Sequence, residues 1–373
     1  MDRVKFRQFM CMTFLVALAM KMFMLPVLMM RVSGRDSFMV MIIAMAADLV
    51  LLAFVAAVVH LAGDNTFFEV LSRAFGVIAA KIIALITALF YLCKLFILTA
   101  DVMIFFSTTV FDSEMSFIHL VPLIALFGYF AYKPLSASGR LSELFTPIVI
   151  VSMLLLGGLT LPEVDFSGLL PILGEGWERV GLGLMSLTLW FGDFTVLLVL
   201  TGKTDNAGKK AYLSLIPALI AGVLLLTFAS VLFAAYGDMP EVLTYGHNIS
   251  NMTQYAVGSY KFGRFDLVIF CMWLMAVLLS AGMMSVFFAR SMDFVFGEKT
   301  GKIITAAAGV LLFVLFIIFA ELNRVTEFMT KYFWLPSLAI QYLLPPLCLV
   351  AIWIGNARQT HKRRKYEKIN QKT

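Results

Sequence analysis

Hydrophobic positions along this chain fall into blocks of about 20 residues separated by short polar breaks, with no strand-like alternation between them. A block of that length crosses roughly 30 Å of bilayer hydrocarbon as a helix. Lipid offers the backbone no hydrogen-bond partner, so each block must close its N–H and C=O groups within itself. Ten spans are predicted, at 9–30, 38–61, 77–107, 117–133, 142–160, 184–202, 212–236, 265–290, 302–320 and 334–356. The third is long enough to be tilted. Gly246 to Ser259 is too polar to cross and is expected as an interfacial helix in the longest outer loop, which reads either as a lid or partner contact or as a plain connector.

Composition turns this pattern into a class. The 373 residues are 61% hydrophobic and 14% charged, far from a soluble domain and leaving no segment for one. The chain is therefore expected to be an all-α integral membrane protein, a single membrane domain over 1–373. Cys11, Cys93, Cys271 and Cys348 fall inside predicted spans with no CxxC pairing, so they read as packing residues, and neither metal nor cofactor is expected. The leading MDRVKFRQF runs into the first span with no small-residue cleavage site and is expected to be retained. No HExxH, P-loop or GxSxG occurs, so enzyme chemistry has no support, and no nucleic-acid partner is expected.

Charge orients the spans. Arg and Lys number 19 on the side of the termini against 7 on the other, which places both termini in the cytoplasm. The basic tail, 357–373, carries HKRRKYEK, which serves either as a stop-transfer anchor or as a contact for anionic headgroups or a partner.

Ten spans divide into 9–160 and 184–356, and an odd number per half forces the halves into opposite orientations. Many secondary transporters are such 5+5 inverted repeats, with the first helix of each half broken at a midplane binding site. Spans one and six carry matching irregularities. Span one holds Lys21 and then Pro26, which lacks an N–H; span six reads LMSLTLWFGDFTVLLVL, interrupted by Gly192 and Asp193. Lys21 and Asp193 occupy equivalent places with opposite charge and are expected to meet at the midplane. Gly192 either permits unwound backbone or serves as a helix-packing notch.

Five ionisable residues lie inside spans: Lys21, Asp48, Lys94, Asp101 and Asp193. Each costs about 2.5–3.5 kcal/mol at a helix centre, so all five are expected to face the interior and each other. Lys94 and Asp101 share a face of span three about 10 Å apart along the axis, too far to touch. Asp48 is expected either as a structural partner of one lysine or as a relay group. Lys81, near a helix end, reads as a snorkelling anchor. Trp190 and Phe191 flank the span-six break, either as an apolar pocket wall or as ordinary core. Ser280, Met284 and Ser285 gather in span eight, and Arg264 with Asp266 marks its outer end.

These strings resemble a known family. KFRQF before span one, FMLP closing its break, DFSGLLPILGEGWERVGLG before span six, FGD within it and RFDLVIFCMWLMAVLLSAGMMSVFFAR in span eight are similar to the spore germination receptor B subunits. That family is a branch of the amino acid, polyamine and organocation transporter superfamily. The resemblance covers nearly the whole chain and implies a germinant-sensing, transporter-like subunit of the spore inner membrane. Its ligand would be a small amino acid-like germinant, and its partners A- and C-type receptor subunits and membrane lipid. In the superfamily the span-one break is Gly-x-Gly and holds the ligand carboxylate; here the triplet is Ala19, Met20 and Lys21, with both glycines replaced. The resemblance also places Lys94, Leu98 and Asp101 of the long third helix on the wall of the site, and Asp193 where glutamate is commoner. Substrate-binding candidates are thus Ala19, Met20, Lys21, Lys94, Leu98, Asp101, Trp190, Phe191, Gly192, Asp193, Ser280 and Met284. Two rival functions stand beside the sensor: a proton- or cation-coupled amino acid transporter, with Lys21 in place of a bound cation, and a ligand-silent assembly subunit closed by a Lys21–Asp193 pair.

Overall fold

The computed structural model describes residues 3–22, 24–106, 120–160, 173–205, 208–236, 266–318, 328–329 and 331–370. Among them the chain forms twelve α-helices: α1 (Phe6–Ala19), α2 (Met24–Ser33), α3 (Ser37–Ala62), α4 (Phe67–Phe75), α5 (Val77–Phe105), α6 (Leu120–Tyr132), α7 (Leu135–Thr160), α8 (Gly176–Leu187), α9 (Leu215–Tyr236), α10 (Asp266–Phe296), α11 (Glu298–Ile318) and α12 (Trp334–Asn370). Seven helical stretches are long and apolar enough to cross a membrane, and α1 and α6 are shorter apolar helices. This is an integral membrane protein built of helices. Residues 246–259 and Arg264 lie outside the described residues.

The distribution of apolar side chains explains why the molecule needs lipid. Exposed Ile78, Ile82, Ile86 and Leu89 form a stripe along α5, and Ile303, Val310, Val314 and Ile317 form another along α11. Helical spacing puts each set on one face, where water would penalise it and hydrocarbon does not. The opposite faces are apolar as well and build one large core. α10 runs through the middle of that core, packed against α1, α5, α6, α7 and α11. A second set, α1, α3, α9 and the segment after α8, packs together beside it.

The two predicted interruptions are present. α1 stops at Ala19, residues 20–22 are not helical, and α2 begins at Met24, so span one is two helices. The break overlaps the expected Ala19–Lys21 triplet, upstream of Pro26. Pro26 is the third residue of α2, in the first turn, where a missing N–H costs no ladder bond. Span six is α8, a turn at 188–192, and a 3-10 helix at Asp193–Leu200. Thr204–Asp205, just after it, pairs in parallel with Val4–Lys5, just before α1. Arg3 reaches both Asp205 and Asp64 at 3.2 and 3.1 Å, and Arg358 donates to the Ala74 carbonyl at 2.7 Å. One face of the bundle, the terminal face, is thereby fixed, and the opposite end is called the far face below.

One element was not expected. The short amphipathic α4 lies between the second and third spans, started by a capping box in which Thr66 and Glu69 exchange side-chain and backbone bonds. In the basic tail, α12 continues as helix through Asn370.

Candidate functional site

The two breaks lie side by side, and Asp48 of α3 joins them. Its Oδ2 accepts from Lys21 Nζ at 2.5 Å. Its Oδ1 accepts from the backbone N–H of Gly192 at 2.7 Å and from the Tyr342 hydroxyl at 3.0 Å. Breaking span six frees the Gly192 N–H from any helical partner, and a buried donor must find one. One carboxylate therefore satisfies a released N–H of the second break and the ammonium carried by the first.

Lys94 of α5 makes the second half of the network. Its ammonium pairs with Asp193 and donates to Gln341 Oε1 at 2.6 Å. Gln341 in turn donates to the Thr188 carbonyl at 2.9 Å, and its own carbonyl accepts from Thr195 Oγ1 at 2.7 Å. The span-six break is thus held from both ends by one residue of α12. Gly192 makes this approach possible: its φ is +83°, and a Cβ there would meet the Gln341 side chain at 2.7 Å.

Position along the helices favours these signs. Lys21 follows the C-terminal end of α1, where the helix carries partial negative charge, and Asp193 opens the 3-10 helix, where the partial charge is positive. Lys21 Nζ also lies 4.7 Å from the Phe191 ring centroid and 5.3 Å from that of Phe194, within cation–π range. Trp273 of α10 donates its indole N–H to the Ala19 carbonyl at 2.8 Å, satisfying an acceptor freed where α1 ends.

The five ionisable residues are all interior, none more than 4% exposed. Their partners differ from the expected ones. Lys21 pairs with Asp48, not Asp193, and Asp193 pairs with Lys94. The expected Lys21–Asp193 pair is corrected to two separate pairs that share the span-six break. Asp48 as a lysine partner is borne out. Lys81 donates to the Val295 carbonyl at 2.7 Å, so it is anchored on α10 rather than merely snorkelling.

Of the candidate residues, the structure gathers Ala19, Lys21, Lys94, Phe191, Gly192 and Asp193 into one bonded neighbourhood. Met20, Leu98, Trp190, Ser280 and Met284 are buried near the same helices without a bond in it, and Asp101 Oδ1 has no partner. Ser285 bonds the Ala281 carbonyl and lines a separate apolar cavity of about 280 Å³ between α5, α6, α10 and α11. Gln341, Tyr342, Thr195 and Trp273 complete the site and were not anticipated. Gln341 is a polar side chain inside the last apolar block, a signal of the same kind as a buried charge.

Among the described residues, several buried polar atoms on the elements of the network have no partner: Asp193 Oδ2, Tyr91 Oη, Trp190 Nε1, Ser280 Oγ and, further along α5, Asp101 Oδ1. Buried polar groups are ordinarily paired, so a concentration of unpaired ones marks polar capacity available to a small molecule or to water.

A family model described as "Spore germination protein" matches residues 3–325. A comparison with curated proteins finds no match.

Proposed function

From the premise that this chain belongs to the spore germination protein family, we propose that it is the germinant-sensing, permease-like B subunit of a spore germination receptor. In this reading the germinant is a small amino acid-like molecule that binds where the two broken helices meet. The ten spans form a 5+5 inverted repeat, and the termini face the cytoplasm from the spore inner membrane. A- and C-type subunits read its state, and no enzymatic step is involved. The observation that carries the reading is the joining of both breaks by Asp48, with Lys94, Asp193 and Gln341 alongside.

Two adjacent ion pairs suit a zwitterion. A ligand carboxylate can take over an ammonium from its aspartate, while the ligand ammonium takes the aspartate released, so no buried charge is left alone. Such an exchange loosens the clamp on the span-six break, which gives the ligand different affinities for the closed and opened arrangements and so shifts their populations.

A second reading, a coupled transporter, is favoured by one feature: the Lys94 ammonium sits against a carboxylate and an amide oxygen, as a bound monovalent cation would. Two measurements on the purified full chain decide. Ligand-dependent thermal shift with the common amino acids is expected to single out one or a few. Uptake into proteoliposomes against a gradient overturns the sensor-only reading, and no shift with any of them overturns germinant binding by this chain.

A further inference from the structure

Charge within the spans does not balance. Among the described residues, the buried Lys and Asp side chains on the helices that meet at the network are two lysines and three aspartates, and the pairs Lys21–Asp48 and Lys94–Asp193 use both lysines; a further buried carboxylate, Asp36, lies in the 3-10 turn before α3 and accepts from the Glu175 backbone N–H at 2.8 Å. Asp101 is left over, 4% exposed, with Oδ1 unpartnered.

Among the described residues, the helices around it offer no unpaired cation at its level, Lys21 beyond the Trp273–Ala19 bond being held by Asp48. Lys81 bonds the Val295 carbonyl and the Tyr91 ring contacts that of Phe287, so α5 and α10 run antiparallel in a fixed register. That register sets Asp101 level with Met275, Ala276 and Val277, and α10 has no Lys, Arg or His before Arg290. α6 holds no charged residue, α4 offers Glu69 and Arg73 at the terminal face, and the first charged residue of α12 is Arg358. On α5 itself the nearest ammonium is that of Lys94, about 10 Å along the axis on the same helix face and already paired. Tyr91 and Cys93 of α5 and Tyr342 and Cys348 of α12, the remaining titratable groups of these elements near the network, carry no positive charge, and neither does Asp193 of the 3-10 helix.

We infer that Asp101 is an acceptor for the cationic group of an organic ammonium ligand, on the far-face approach to the ion-pair network. The inference rests on the germinant-sensing reading and adds the residue that selects for an ammonium. Asp101 is one turn from the far end of α5, so a molecule entering from that face meets it before Lys94. The level it occupies on α10 is apolar, Met275, Ala276 and Val277. That suits an organic ammonium, whose charge one carboxylate balances while its alkyl part meets apolar side chains, and does not suit a bare metal cation, which asks for a shell of oxygens.

The test uses the full chain in lipid nanodiscs and dicyclohexylcarbodiimide, which adds to carboxyls in apolar surroundings that lack a cationic partner. Adducts are located by peptide mass spectrometry. The adduct is expected at Asp101 and not at Asp48 or Asp193. n-Butylammonium at four times its Kd is expected to slow it about fivefold, while n-butyrate, n-butanol and sodium chloride do not. Asp101→Asn removes the adduct, and Asp101→Glu keeps both adduct and protection, which guards against a variant that merely misfolds. Labelling at Asp48 or Asp193 instead, absence of protection by butylammonium, or equal protection by butyrate, butanol or sodium overturns the inference. The amino acid thermal-shift panel on the same sample separates the two readings. An amino acid that shifts the melt while Asp101 stays unprotected by butylammonium removes this inference and leaves the sensor. Protection without any amino acid response removes the sensor and leaves Asp101 as an ammonium site.

Discussion

Replacing Lys94 with methionine tests the pairing most directly, because Met keeps the length of the stem and removes only the ammonium. Lys94 is fully buried and supplies the bond to Asp193 Oδ1, while Asp193 Oδ2 has no partner already. Lys94→Met therefore strands a buried carboxylate on both oxygens and leaves Gln341 Oε1 without its donor. Breaking a buried pair from one side costs about 3–5 kcal/mol. Asp193→Asn is expected near the lower end, about 3 kcal/mol, because an amide oxygen can still accept from Lys94. In the double variant no charge remains, and the cost falls to about 2 kcal/mol for the unpaired Gln341 oxygen. The two single losses thus exceed the double by about 4–6 kcal/mol. For a chain of 373 residues each kcal/mol moves the melting temperature by a little over about 1 °C. Thermal unfolding in nanodiscs should show singles about 3–6 °C low and the double about 2 °C low. Additive losses refute the pair. A Lys21→Met/Asp193→Asn cycle that couples more strongly than Lys94→Met/Asp193→Asn refutes the partner assignment itself.

Gly192→Ala combines a left-handed backbone with a Cβ at 2.7 Å from Gln341, so it should lower stability by about 3 kcal/mol in the same melt. Adding Gln341→Ala should recover part of that by removing the obstructing side chain. Trp273→Phe removes the donor to the Ala19 carbonyl and should cost about 1–3 kcal/mol, with faster amide exchange across residues 19–22 by mass spectrometry. Arg358→Ala frees the Arg73 and Ala74 carbonyls at the end of α4 and should speed exchange over Phe67–Phe75 while moving the melt by less than about 1 kcal/mol.

Much of this arrangement can be read from the chain because lipid simplifies the rules. Long apolar blocks must be helices, and a charge within one must turn inward, so the interior placement of Lys21, Asp48, Lys94, Asp101 and Asp193 follows from cost alone. Which lysine meets which aspartate does not. One residue along a helix turns a side chain by about 100°, and a break resets that angle, so the azimuth of Lys21 depends on where α1 ends. The break itself is legible, since the expected Ala19–Lys21 triplet overlaps the non-helical residues 20–22, while Pro26, in the first turn of α2, disturbs nothing. Gln341 and Tyr342 carry no charge, so a rule built on ionisable groups does not reach them, although both bond the network. α4 is announced by Thr66-x-x-Glu69, but a nine-residue helix is too short to register as a span.

α12 ties the site to the terminal face. Gln341 and Tyr342 bond Lys94, Thr188, Thr195 and Asp48, so a displacement of any of these acts directly on this helix. Seventeen residues on, about 25 Å along the axis, Arg358 grips the end of α4. Between them stand Pro345 and Pro346, which remove two ladder donors in succession and leave the helix weakest against bending at that point. A push at Gln341 is therefore delivered as a change in tilt of the segment beyond the prolines, where α12 meets α4. If the protein senses a germinant, this is the path by which an exchange of ion-pair partners inside the bilayer can reach a subunit docked on the terminal face. It requires only that one helix be held at both ends and be free to bend in between.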